Sequence, residues 1–141
     1  MSLAFLLLFR AVGFGVPALA DWHLDARCAI AIFFVIAGSS HFGRARKGFI
    51  GMVPPWVPLD HARVIDITGV LEIAGGVGIV VPATSRIAGI ALILFLIAVF
   101  PANVYAARHR LRIFGREHPA LLPRTIDQLV LLGLILWGAL L

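Results

Sequence analysis

The sequence predicts an all-α, polytopic membrane protein: a four-helix transmembrane bundle over residues 26–141, with an additional apolar helix, transmembrane or interfacial, over residues 1–25. Three observations lead there. The first is composition: of 141 residues, 61% are hydrophobic and 13% charged, and the mean hydropathy is +1.02. A soluble domain carries about 25% charged and 45–50% apolar residues, so lipid rather than water has to be the main solvent. The second is length: residues 26–42, 64–81, 87–107 and 125–141 are apolar stretches, each close to what is needed to cross about 30 Å of hydrocarbon. The third is charge placement. Nine of the twelve basic residues are Arg44, Arg46, Lys47, Arg63, Arg108, Arg110, Arg112, Arg116 and Arg124, grouped between apolar stretches. Such grouping reads as positive-inside topology. Nucleic-acid binding would instead want a basic face on a water-soluble fold, and no nucleic-acid partner is expected.

The N-terminal apolar run, residues 3–20, is long enough to span, yet Arg10 lies in its middle and Gly13, Gly15 and Pro17 weaken its second half. A central Arg costs about 2.5–3.5 kcal/mol on the insertion scale, which the Leu/Phe run offsets. Ala18-Leu19-Ala20 has the form of a signal-peptidase site, but no basic residue precedes the apolar stretch and Arg10 interrupts it. The run is therefore read as an extra helix. The first core helix follows, ending in Gly38-Ser39-Ser40-His41.

Residues 43–60 are too polar and too broken to span. Met52-Val53-Pro54-Pro55-Trp56-Val57-Pro58 cannot be a regular helix, because proline removes a donor and restricts the residue before it. Trp56 among apolar neighbours suits the headgroup region, so this segment is expected to lie in the interface or to dip into the bundle. The second core helix starts after an interfacial cap, Asp60-His61, and ends at Pro82. Residues 83–86 then form a turn short enough to make the second and third core helices antiparallel neighbours. The third contains Pro101, which frees the carbonyl of Ile97 and bends the axis. That carbonyl needs a partner from a neighbouring helix, a side chain or an ordered water, and Asn103, just below the bend, is placed to supply donors across the interface. The fourth opens with Asp127 and Gln128. Residues 43–63 and 108–124 lie on one side, predicted to be cytoplasmic in an inner-membrane protein, with the C-terminus facing outward.

Ionisable groups in a bilayer are costly and are functional candidates by default. Glu72 lies about ten residues into its helix, roughly 15 Å along it and near the midplane. Gly69, Gly75 and Gly76 lie one turn away, and small residues mark close helix approach, so Glu72 is predicted to point into the bundle. A carboxyl at that depth needs a cation or several donors beside it to stay ionised. On the predicted topology, four helices place polar groups in one half: His41, Asp66 with Thr68, Asn103 with Tyr105, and Asp127 with Gln128. The bland alternative is interhelical glue, with Asp127 as a dipole partner at a helix N-terminus. The five histidines (His23, His41, His61, His109, His118) show no HxxxH or HExxH spacing, so no metal site is expected. Cys28 is the only cysteine, which excludes an intramolecular disulfide and a CxxC motif.

Four short motifs resemble the DoxX-like membrane proteins in order and spacing: Ala37-Gly38-Ser39-Ser40-His41-Phe42, Met52-Val53-Pro54-Pro55-Trp56-Val57-Pro58, Thr68-Gly69-Val70-Leu71-Glu72-Ile73-Ala74-Gly75-Gly76, and Phe100-Pro101-Ala102-Asn103-Val104-Tyr105. The resemblance covers residues 26–141 and implies a four-helix membrane bundle with the Glu72 segment at its centre. The family takes its name from a subunit associated with thiosulfate:quinone oxidoreduction, and similar proteins are linked to oxidative-stress complexes. The expectation is a redox-associated membrane subunit that binds a quinone or small lipid between His41, Trp56, Glu72, Asn103 and Tyr105. Glu72 or His41 would exchange a proton or bond a carbonyl, while Asn103 and Tyr105 orient the ring. No flavin, haem or iron–sulfur signature is present, so electrons would come from a soluble or membrane oxidoreductase partner. The non-enzymatic alternative is a membrane scaffold or assembly factor with a structural polar core. Solute transport fits less well: the chain is short and shows no inverted repeat, so a path would need a homo-oligomer.

Overall fold

A computed structural model describes residues 22–113, 116–117 and 121–141. The N-terminal run of residues 3–20 lies outside them. Among the described residues the regular structure is all-helical apart from a two-residue antiparallel pairing of Arg112–Ile113 with Arg116–Glu117. The described residues form five α-helices: α1 (Trp22–Ser40), α2 (Arg46–Met52), α3 (His61–Val80), α4 (Ser85–Arg108) and α5 (Leu121–Ile135), the last running into a π-helical turn, Leu136–Leu140.

Most boundaries have a local cause. α1 is described from Trp22, four residues before the apolar stretch, with Asp25 near that end. It ends in a run of tight turns, in which the amides of His41, Phe42 and Gly43 bond the carbonyls of Gly38, Ser39 and Ser40. α2 stops where Val53 turns extended, as a residue before proline must. Asp60 caps α3, its carboxylate accepting from the Arg63 amide at 2.8 Å. Val81, before Pro82, ends α3 in the same extended way. The turn that follows is pinned by Thr84, whose hydroxyl donates to the Gly78 carbonyl at 2.7 Å. α4 closes on Arg110, which takes a left-handed backbone (φ 47) while the Leu111 amide reaches back to the Ala106 carbonyl.

Glycines set the lateral order of the helices. Gly38 of α1 meets Gly69 of α3 so closely that a Cβ on Gly38 would lie 2.6 Å from the Gly69 carbonyl oxygen. Gly76 of α3 approaches the Ala31 carbonyl in the same seam. On another stripe of α3, Gly75 abuts Leu92 and Gly78 abuts Ala88 of α4. Gly89 of α4 faces Ala139 and Ile135, and Gly138 faces Ala26, which returns the circuit to α1. Backbones come this close only where side chains are small. Inside the circuit Ile30, Phe34, Ile79, Leu92 and Ile135 are fully buried.

Outside, Ile36, Ile67, Val77, Ile87, Leu94 and Leu129 are exposed. An apolar surface of that extent fits lipid rather than water. Trp22–Ser40, Ser85–Arg108 and Leu121–Leu140 are long and apolar enough to cross a membrane. α3 is as long at 20 residues but contains Arg63, Asp66 and Glu72.

Candidate functional site

Arg44, Arg46, Lys47, Arg63, Arg108, Arg110 and Arg124 mark one end of the molecule as basic, opposite the short turn at Pro82. In the basic half the helices enclose a cavity of about 600 Å³. α1 contributes Phe34 and Ser40, α3 Thr68 and Glu72, α4 Phe95 and Asn103, and α5 Gln128 and Leu131. His41 lines it from the turn after α1, and Phe49 and Met52 line it from α2. Its walls are mainly aromatic and aliphatic, with a few polar groups converging on them, as small-molecule sites tend to be.

His41 is buried, and its orientation is fixed from two sides. Its ring packs on Phe49 with centroids 4.6 Å apart. Its Nδ1 lies 3.1 Å from the Ile65 carbonyl and 3.2 Å from the Thr68 hydroxyl. A carbonyl only accepts, and the Thr68 hydroxyl spends its own proton on the same Ile65 oxygen at 3.0 Å. Nδ1 is therefore the protonated nitrogen. That leaves Nε2 turned toward Glu72, 3.8 Å from Oε1. The separation is too long for a hydrogen bond and short enough for an ion pair or for one bridging atom. The other carboxyl oxygen, Oε2, is buried without a hydrogen-bond partner. An unsatisfied buried acceptor costs about 1–3 kcal/mol, so Glu72 is held in an unrelieved state at the cavity wall. Its place follows from the flanking glycines: Gly69 and Gly76 turn to α1 and Gly75 to α4, which leaves Glu72 between the two seams and facing inward.

At the rim Arg46 grips Asp66 through both carboxylate oxygens, with its Nη2 2.7 Å from each. This pair ties α2 to α3 and so carries Phe49 and Met52 beneath the cavity. Gln128 of α5 donates to the Leu96 carbonyl at 3.0 Å, one residue before the Ile97 carbonyl that Pro101 deprives of its helical donor, and so ties α5 to α4.

Of the residues singled out from sequence, His41, Trp56, Glu72 and Asn103 line this one cavity, and Trp56 is 69% exposed at its edge. Tyr105 does not join them. Two residues apart on a helix point about 200° away from each other, so Asn103 facing inward turns Tyr105 out, where its ring stacks on His109 at 4.1 Å. Asp127 lines the cavity beside Arg124 rather than serving only the end of α5. Asp66 is the ion-pair partner of Arg46. Among the described residues, no three of His, Cys, Asp and Glu come together as metal ligands would.

Two features escaped sequence reading. Asp25 is fully buried and neither carboxyl oxygen has a partner. It falls between the N-terminal run and the first core run, where Asp21 and Arg27 flank it in sequence. His23 donates from Nδ1 to the Trp137 carbonyl at 3.0 Å, joining α1 to the π-turn. No signal in the sequence marks that turn.

The chain belongs to the DUF8561 family: the family model, described as a domain of unknown function, matches residues 30–139. That span holds every cavity residue named above. No curated protein and no solved structure matches the chain.

Proposed function

We propose that this member of the DUF8561 family is a multi-pass inner-membrane subunit that holds the headgroup of a quinone or similar neutral lipid for a redox partner. In this reading α3 spans as the fourth crossing, with Glu72 sheltered in the bundle and Asp66 neutralised by Arg46. The basic end then faces the cytoplasm. The resemblance to DoxX-like proteins in four motifs supports the redox association.

One observation carries the proposal. A buried carboxyl with an unpartnered oxygen stands 3.8 Å from an oriented histidine on the wall of a largely apolar cavity. Reducing a quinone to a quinol takes two electrons and two protons. A partner oxidoreductase supplies the two electrons; Glu72, with His41 beside it, passes one proton to the nearer carbonyl, the other carbonyl takes the second from water at the basic rim, and the Asn103 amide donates a hydrogen bond to a carbonyl oxygen. The aromatic walls at Phe34 and Phe95 pack on its faces.

A scaffold reading has its own support, since His41, Asp66 and Gln128 already have partners within the protein. Small-molecule mass spectrometry of protein purified in native-lipid particles separates the two. A quinone enriched over bulk membrane in the wild type and lost in Glu72→Gln is the expected result. Bulk phospholipid alone in both samples would refute the ligand reading and leave the scaffold.

A further inference from the structure

We infer that the ligand reaches the cavity sideways from the apolar phase, through a cleft between α3 and α4, and leaves an extended apolar tail there. This rests on the reading of the cavity as a headgroup site and narrows its ligand to a lipid-soluble, tailed molecule.

The cleft is visible in what one stripe of α3 touches along its length. Val64, Thr68, Leu71, Gly75 and Gly78 are three or four residues apart and share a face. Toward the Pro82 turn this stripe is closed: Gly75 packs on Leu92 and Gly78 on Ala88. Toward the basic end the same stripe is open, and Val64, Thr68 and Leu71 line the cavity. α4 mirrors the change. Ala88 and Leu92 make the contact, whereas Phe95, Ala98 and Ala102 line the cavity. The two helices therefore part below Leu92 like a wedge.

Leu71 and Ala98 each line the cavity and are also exposed, so the wedge runs through to the outer surface. The residues on its rim are apolar but for Thr68, and beyond them lie the exposed Ile67 and Leu94. Water and ions gain nothing in such a passage, whereas an apolar chain buries surface at about 25 cal/mol per Å². Trp56 and Leu59, both exposed and both lining the cavity, underlie the cleft with the amphipathic ring suited to a headgroup boundary. The buried Glu72 carboxyl inside, set in a mainly apolar wall, suits a neutral, hydrogen-bonding headgroup over a phosphate, whose charge would lose its hydration there.

Ala98→Phe narrows the cleft from an exposed position. Ala91→Phe, two turns away on the same face and outside the cavity, controls for added bulk. Each protein is placed in phosphatidylcholine nanodiscs, and its affinities for a prenylated quinone and for the tailless benzoquinone are measured by retention. Ala98→Phe is expected to lower the prenylated affinity by about tenfold or more, with tailless binding within about twofold and Ala91→Phe unchanged. Equal binding of the prenylated quinone by wild type and Ala98→Phe would overturn the cleft and leave the headgroup site standing. Parallel loss of both quinones in Ala98→Phe would also overturn it, since the cleft would then serve the headgroup. Failure of the wild type to retain either quinone would sink the underlying reading, and this inference with it.

Discussion

Gly38→Ala tests the seam on which the candidate site is built. The added methyl would meet the Gly69 carbonyl oxygen at 2.6 Å, Ile73 Cγ1 at 2.8 Å and Glu72 Cβ at 3.0 Å. The nearest of these is backbone and cannot swing aside. Ordinary van der Waals contact begins near 3.4 Å, so α1 and α3 must separate by about 0.8 Å. Forcing an extra methyl into a packed interface costs about 1–3 kcal/mol, against a helix-propensity gain of about 0.8–1 kcal/mol for Ala over Gly. The net expectation is a loss of up to about 2 kcal/mol. His41 on α1's terminal turn and Glu72 on α3 move apart with their helices, so ligand retention should fall as well. Gly133→Ala supplies the matched control, because nothing lies within 4 Å of its added Cβ. That change should gain about 0.5–1 kcal/mol. Reversible unfolding in mixed detergent micelles, followed by circular dichroism, measures both. If Gly38→Ala proves as stable as Gly133→Ala, the close glycine seam is not the organising contact between α1 and α3.

Three further changes probe separate parts of the structure. Gln128→Leu removes the bond from α5 to the Leu96 carbonyl of α4, and losing one such bond should lower unfolding stability by about 0.5–1.5 kcal/mol; an unchanged midpoint would mean that bond does not hold α5 to α4. A double-mutant cycle on Arg46 and Asp66 should give a coupling of only about 0.2–1 kcal/mol that shrinks in salt, since both side chains are about a third exposed or more. A larger, salt-insensitive value would contradict the exposed placement of the pair. Asp25→Leu removes a fully buried carboxyl with no partner and is expected to stabilise by about 1–3 kcal/mol. Destabilisation in the same micelle assay would show that Asp25 has a partner that matters.

The long helices were legible because a membrane crossing requires little beyond length and hydropathy, and residues 64–81 and 87–107 fall within a few residues of α3 and α4. Convergence of His41, Glu72 and Asn103 was legible for a related reason. Helices that alternate in direction return every second end to the same side, so polar residues at those ends meet. What failed depended on angle rather than on position along the axis. Tyr105 sits at the right depth and on the wrong face. The bond from Gln128 to the Leu96 carbonyl joins two helices, and no local pattern could indicate it. α2 is too short, at seven residues, for periodicity to stand out from its glycines, and the broken character of residues 53–60 masked it. Asp25 was hidden by its place between the N-terminal run and the first core run.

The bond from Gln128 to Leu96 also bears on the order in which the chain assembles. α4 leaves the insertion machinery before α5 exists, so its Leu96 carbonyl waits for the Gln128 amide. α5 brings that amide, and with it the wall formed by Gln128 and Leu131. Closure of the cavity is thus coupled to arrival of α5, and a nascent chain halted before residue 121 has its polar wall, Glu72 included, open on that side. Such a chain gives quality-control proteases a polar flaw to find in the bilayer, one that disappears once α5 docks.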